Sequence, residues 1–160
     1  MKLPLFLLAI VSAATLSARA EVSPISMAIE PSTKTEMKDK KKVHDKTQVR
    51  SLKITLNNNS AQPFDGLAVK YWFFGHAAGD HTIKVLTEGE RKSSVTPRGK
   101  DVVESEVVSK SFTEEYYDAK TKKKAPASGE KISGYAVRVM KDGKVLAEAY
   151  SELTYKTLIK

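Results

Sequence analysis

The strongest constraint on the fold is a period of two in the apolar residues of three segments. Leu52, Ile54 and Leu56 alternate with Lys53 and Thr55. Leu67, Val69, Tyr71 and Phe73 alternate with Ala68, Lys70, Trp72 and Phe74, and Tyr135, Val137 and Val139 with Ala136 and Arg138. Successive side chains of a strand point to opposite faces, so each segment can bury one face and solvate the other. A helix needs apolar residues three and four apart, and no such stripe, heptad or internal repeat occurs. Further strands are read around Ile83 and Val85, over residues 101–112 with Val103 and Val107 on one face, and over residues 132–140 and 144–154. Gly, Pro, Asn and Lys mark loops at residues 57–66, 75–79, 89–100 and 118–130. About seven short strands so spaced predict an all-β fold, an antiparallel β-sandwich.

The last two strands carry a register argument. A two-residue turn at Asp142-Gly143 sets Glu148 against Val137, in the middle of the apolar face. A three-residue loop, with Gly143 left-handed in a bulge, pairs Val139 with Val145, Val137 with Ala147 and Tyr135 with Ala149. One slip decides which face is buried, so the bulged turn is expected.

The chain begins like an exported protein. Lys2 is a positive n-region, residues 3–16 are almost continuously apolar, and Ala18-Arg19-Ala20 offers the small side chains a signal peptidase accepts. The apolar run is shorter than the ~20 residues that span a bilayer. Residues 1–20 are therefore read as a signal peptide cleaved after Ala20, with a periplasmic or secreted location and no transmembrane segment afterwards. No cysteine follows the run, so no lipid-modified terminus is expected. Residues 21–46 read as a short strand at 25–29 and then a polar lysine-rich connection, and residues 47–160 as the sandwich.

The absence of cysteine also removes disulfides, thiolate chemistry, Fe–S clusters and cysteine-based zinc sites. The formal net charge of +8 falls to +6 when Lys2 and Arg19 leave with the leader. A positive exported chain can meet anionic lipid or polysaccharide, and export argues against nucleic acid.

Tyr135-Ala136-Val137-Arg138-Val139, followed by Asp142-Gly143 and Ser151, resembles the penultimate strand and final hairpin of fibronectin type III and immunoglobulin-like modules. Leu52-Lys53-Ile54-Thr55-Leu56-Asn57-Asn58 resembles their second strand, which often ends in asparagine. The resemblance spans residues 47–154 and implies the architecture alone. It departs from the antibody type in lacking the inter-sheet cysteine pair, and in placing Lys70 in the same phase as Trp72.

Candidate chemistry is sparse. His76, Asp80 and His81 share one loop and are weak candidates for a zinc or copper site, since imidazole and carboxylate suit those metals. Exposed loop histidines are the plainer expectation, so no metal and no cofactor are assigned. No Gly-x-Ser-x-Gly elbow and no phosphate-cradling glycine loop occur, and the pairs Glu104/Glu106 and Glu148/Glu152 sit on strands like ordinary solvent-facing charges. The chain is not expected to be an enzyme.

The aromatic run offers more. With Leu67, Val69, Tyr71 and Phe73 inward, Trp72 and Phe74 point outward beside Lys70. On the bulged register Arg138, Met140, Leu146 and Tyr150 also point outward, and if the two elements are sheet neighbours, as in immunoglobulin-like folds, they form one aromatic-basic face. Such a face suits an envelope or extracellular protein or glycan, unless the N-terminal segment or the loop holding Tyr116 and Tyr117 covers it. Two lysine clusters, residues 38–46 and 120–124, are read as solvated loops, with an acidic surface as the alternative partner. Asn58-Asn59-Ser60 matches a glycosylation sequon.

Overall fold

The structure, a computed structural model, describes residues 23–37 and 44–159. The signal-peptide reading and Lys38, Lys40, Lys41 and Lys42 lie outside the described residues. Ten strands are present among these: β1 (Ile25–Met37), β2 (Asp45–Asn58), β3 (Phe64–Ala77), β4 (Lys84–Val95), β5 (Lys100–Glu104), β6 (Val108–Thr113), β7 (Tyr116–Asp118), β8 (Lys123–Ala125), β9 (Ser128–Lys141) and β10 (Lys144–Tyr150). A 3-10 helix, Leu153–Leu158, follows. All pairings are antiparallel.

One layer is β1–β2, with β5 and β6 following one another along the far side of β2. The other runs β10–β9–β3–β4. A short β6–β9 ladder, Phe112 opposite Gly129 and Thr113 opposite Ser128, joins them. The alternating residues meet between the layers: Leu52, Ile54 and Leu56 of β2 share one buried cluster with Leu67, Val69, Tyr71 and Phe73 of β3 and Val137 and Val139 of β9. Each such side chain contributes about 1.5–3 kcal/mol by leaving water, so the period-two faces hold the layers together. The fold is all-β, antiparallel and compatible with a sandwich.

Four local expectations are corrected. The polar stretch from Pro31 is not a connection: β1 continues to Met37 and pairs with β2 back to Lys46. Residues 30–37 are all exposed, so this ribbon is held by backbone hydrogen bonds and leaves no apolar trace. The expected turn at residues 89–100 is mostly strand, and only residues 96–99 turn. Gly89 lies inside β4 because a Cβ there would come 2.3 Å from the Tyr71 hydroxyl. The expected strand 101–112 breaks at Ser105, whose hydroxyl accepts the Leu52 N–H at 2.8 Å. Val108 is therefore the buried residue and Val107 is 68% exposed. The polar stretch 118–130 contains β8 and the start of β9.

The final hairpin resolves its register conflict differently from expectation. Asp142 (φ 49°) and Gly143 (φ 78°) form a tight two-residue turn, and the bulge lies inside β10 at Leu146. Val139 and Val137 then face Ala147 and Ala149, while Glu148 faces Arg138. The apolar parity survives. The bulge turns Leu146 inward, against the main core rather than onto the outer face.

Glu130 at the start of β9 ties the layers electrostatically, with Lys84 of β4 and Lys110 of β6 each 2.7 Å away. Hydrogen bonds from Lys110 and then Lys84 lower its pKa to about 2. The depressed value means stability present above the unfolded carboxylate's range and lost as pH falls towards 2. Glu130→Gln should therefore lower the thermal midpoint at pH 7 and lose that deficit by pH 2. An equal deficit at both pH values would sink the idea.

Candidate functional site

The outer face of β10–β9–β3–β4 is built of cross-strand rows, because strands in register place opposed residues side by side on one face. Along β10, β9, β3 and β4 the rows read Val145–Met140–Ala68–Lys92, then Glu148–Arg138–Lys70–Glu90, then Tyr150–Ala136–Trp72–Glu88. A fourth row, Gly134–Phe74–Val85, spans β9, β3 and β4. The face thus brings Lys70, Trp72, Phe74, Arg138, Met140 and Tyr150 together. Leu146 leaves the set through the bulge, and Val145, 47% exposed, takes its place beside Met140.

The aromatic centre is not open. Trp72 is 7% exposed and Phe74 fully buried, in a second cluster with Ala136 and Tyr155. The cover is the C-terminal 3-10 helix rather than β1 or Tyr116 and Tyr117. Tyr155 stacks on Phe74 with ring centroids 4.5 Å apart. It occupies the space above Gly134, where a Cβ would lie 2.3 Å from the Tyr155 ring. Ser151 fixes the approach of this segment, its N–H bonding the Tyr135 carbonyl at 2.9 Å and its hydroxyl accepting the Tyr135 N–H. Burial pushes the Tyr155 hydroxyl's pKa up.

The polar rows are ordered by mutual pairing. The Trp72 indole N–H donates to Glu88 at 3.1 Å, and the Arg138 guanidinium lies 5.6 Å from the Trp72 ring centroid. Arg138 also faces Glu148 at 3.4 Å, and Lys70 faces Glu90 at 3.6 Å. Glu148 accepts from Lys156 and from the Tyr150 hydroxyl, and those bonds hold its carboxyl below the usual range. Two cations side by side, Lys70 and Arg138, are tolerated because a carboxylate flanks each.

Beside this surface an open groove of about 870 Å³ runs between the β3–β4 edge and the chain's end. Lys70, Trp72 and residues 85–90 line it, with Leu158 and Ile159 closing one side. Of the groove's polar groups only Lys70 was legible in sequence. Glu88 and Glu90 needed the bulge at Leu86, between the pairs Phe74–Val85 and Phe73–Thr87, to reach the outer face.

The remaining candidates fall apart or lie elsewhere. His76 and His81 approach to 6.3 Å between ring centroids, but the Asp80 carboxylate accepts the Thr82 N–H and hydroxyl instead. Those bonds lower its pKa. Among the described residues no group of three His, Cys, Asp or Glu side chains is placed to hold a metal ion. Lys46 and Lys124 pair with Glu114 and Glu115, and His44 stacks on Tyr116 at 4.1 Å. No described helix is long and apolar enough to cross a membrane.

Neither a family model nor a curated protein sequence matches the chain. Among solved structures it is similar to a Bacteroides fragilis protein named as a candidate β-galactosidase, at 15% identity and a TM-score of 0.47. The match covers 77% of this chain and spans 15% of that protein. It is also similar to an Akkermansia muciniphila protein, at 16% identity and a TM-score of 0.35, over 80% of this chain and 71% of the other. Likenesses this weak carry no argument about function.

Proposed function

We propose that the protein is an exported, non-catalytic module of the fibronectin type III or immunoglobulin-like kind. It holds a protein or glycan of the envelope or extracellular space on the outer face of β10–β9–β3–β4. The architectural part is supported by the two antiparallel layers, β1–β2–β5/β6 and β10–β9–β3–β4, with the alternating apolar residues between them. The export part is supported by the leader-like residues 2–20.

The binding part rests on one observation, the ordered polar rows around the part-covered edge of Trp72. Fixed donors and acceptors of both signs around an aromatic edge suit a polyhydroxyl or peptide ligand. The carboxylates facing the groove are engaged in positioning, Glu88 by the Trp72 N–H and Glu90 by Lys70.

The test is retention of envelope proteins and of arrayed glycans on the immobilised protein. Lys70→Ala and Glu88→Ala, both on the accessible side of the rows, should weaken retention about tenfold, the scale of one hot-spot contact, with the protein still folded at the assay temperature. Failure to retain any glycan or envelope protein, or retention indifferent to both substitutions, defeats the reading.

A further inference from the structure

The edge of β4 is divided. Its C-terminal half is closed off by the β5 region: the Ser93 hydroxyl donates to Asp101 at 2.6 Å, Arg91 pairs with Glu106 at 3.2 Å, and Val95 is buried. The N-terminal half, residues 84–90, is paired on one side, by β3. Its other side faces the groove, which six consecutive β4 residues line. Consecutive residues line a groove when it runs along the edge of a strand, because a groove on one face meets alternate residues. A free edge presents a row of backbone N–H and C=O groups that an extended chain can pair with.

The side chains along this edge select the occupant. Val85 is 37% and Leu158 39% exposed, and together with Ile159 they form an apolar seat at one end. Glu88 follows, an exposed carboxylate that accepts the Trp72 N–H and has no cationic partner within ion-pair distance among the described residues. A second copy of the chain fits poorly. Antiparallel self-pairing centred on Glu88 opposes Glu88 to itself and Lys84 to Lys92, and centring on Gly89 opposes Glu88 to Glu90. Centring on Thr87 runs into the bulge at Leu86.

We infer that residues 84–90 of β4 are a docking edge for an extended peptide segment of a partner protein. The segment adds as a further strand, with an apolar side chain against Val85, Leu158 and Ile159 and a basic one against Glu88. This edge shares Glu88 with the third polar row, but the groups that pair with the segment are the β4 backbone N–H and C=O groups rather than the side chains of the rows.

The probe is a capped seven-residue peptide of alternating threonine and valine carrying one lysine, with a glutamate counterpart, titrated into the isotope-labelled protein. The lysine peptide should shift amide resonances of residues 84–90 and the Trp72 indole, and slow exchange of alternate amides there about tenfold at saturation. It should bind about threefold to fivefold more tightly than the glutamate peptide, the range an exposed ion pair supports. Glu88→Lys should invert that order. Millimolar peptide with no change at residues 84–90 overturns the inference. So does peptide-free protection of the same amides that rises with protein concentration, which would assign the edge to a second copy. Amide protection along residues 84–90 reads strand addition at the edge, and retention that is lost in Lys70→Ala reads the rows, so the two readings fail separately.

Discussion

Replacing Tyr155 by alanine is expected to lower the thermal midpoint by about 10 °C, since large-to-small changes at buried aromatics cost about 3–5 kcal/mol and a chain this size loses about 2–4 °C per kcal/mol. The expectation follows from what the ring does. Tyr155 is 2% exposed, stacks on Phe74, and fills the space that the missing Cβ of Gly134 leaves open. Without it, Phe74 and the edge of Trp72 meet water, because Ile83, Tyr150 and Ile159, the other hydrophobic residues packed against this cluster, are themselves only partly buried. Trp72 is the chain's one tryptophan, so its emission should shift to the red and become quenchable, and a hydrophobic dye should bind. Tyr155→Phe separates the ring from the hydroxyl. It should keep nearly all the stability and the wild-type emission, because stacking and volume are retained. An alanine variant with wild-type midpoint and emission would show that the 3-10 helix is not the cover.

The same residue shows where the sequence was legible. Alternation placed Leu52, Ile54, Leu56, Leu67, Val69, Tyr71 and Phe73 on the core face because a strand's side chains can go only two ways. It equally placed Trp72, Phe74, Lys70 and Arg138 on the opposite face, and β3 and β9 are indeed neighbours. What alternation cannot report is whether an outward face is open. That depends on Tyr155, which is far from Phe74 in sequence and sits in a segment with no periodicity of its own. The polar β1–β2 ribbon escaped for a related reason. Its residues 30–37 bury nothing, and a strand that buries nothing leaves only backbone pairing to mark it. The bulges at Leu86 and Leu146 were hidden too, because an inserted residue changes parity locally and only the partner strand reveals it. Leu146 moved to the core by that route, and Glu88 and Glu90 reached the groove.

Asn58→Ala is expected to cost about 3 kcal/mol by urea denaturation, as several polar groups lose their partner at once. Asn58 is 3% exposed at the end of β2. Its side-chain amide donates to the carbonyls of Gln62 at 2.7 Å and Thr96 at 3.0 Å. Its carbonyl oxygen accepts the N–H and hydroxyl of Ser60 at 2.9 and 2.8 Å. One side chain therefore pins the turn after β2 to the turn after β4. Alanine strands the Thr96 carbonyl and the Ser60 N–H at once, and leaves the Gln62 carbonyl to the Ser60 hydroxyl alone. Asn58→Asp keeps the acceptor but turns a carboxylate oxygen towards the two carbonyls, so it should do no better than alanine at neutral pH. Ser60→Ala removes only the hydroxyl, one of these partners, and should cost about 1 kcal/mol. The same geometry bears on the Asn58-Asn59-Ser60 sequon. Glycan transfer needs a free side-chain amide, and this one is committed to two backbone carbonyls inside the fold. Folded protein presented to an oligosaccharyltransferase should carry no glycan at Asn58, and urea-unfolded protein should accept one. Modification of the folded form at full stability would mean that the Asn58 hydrogen bonds do not hold the two turns together.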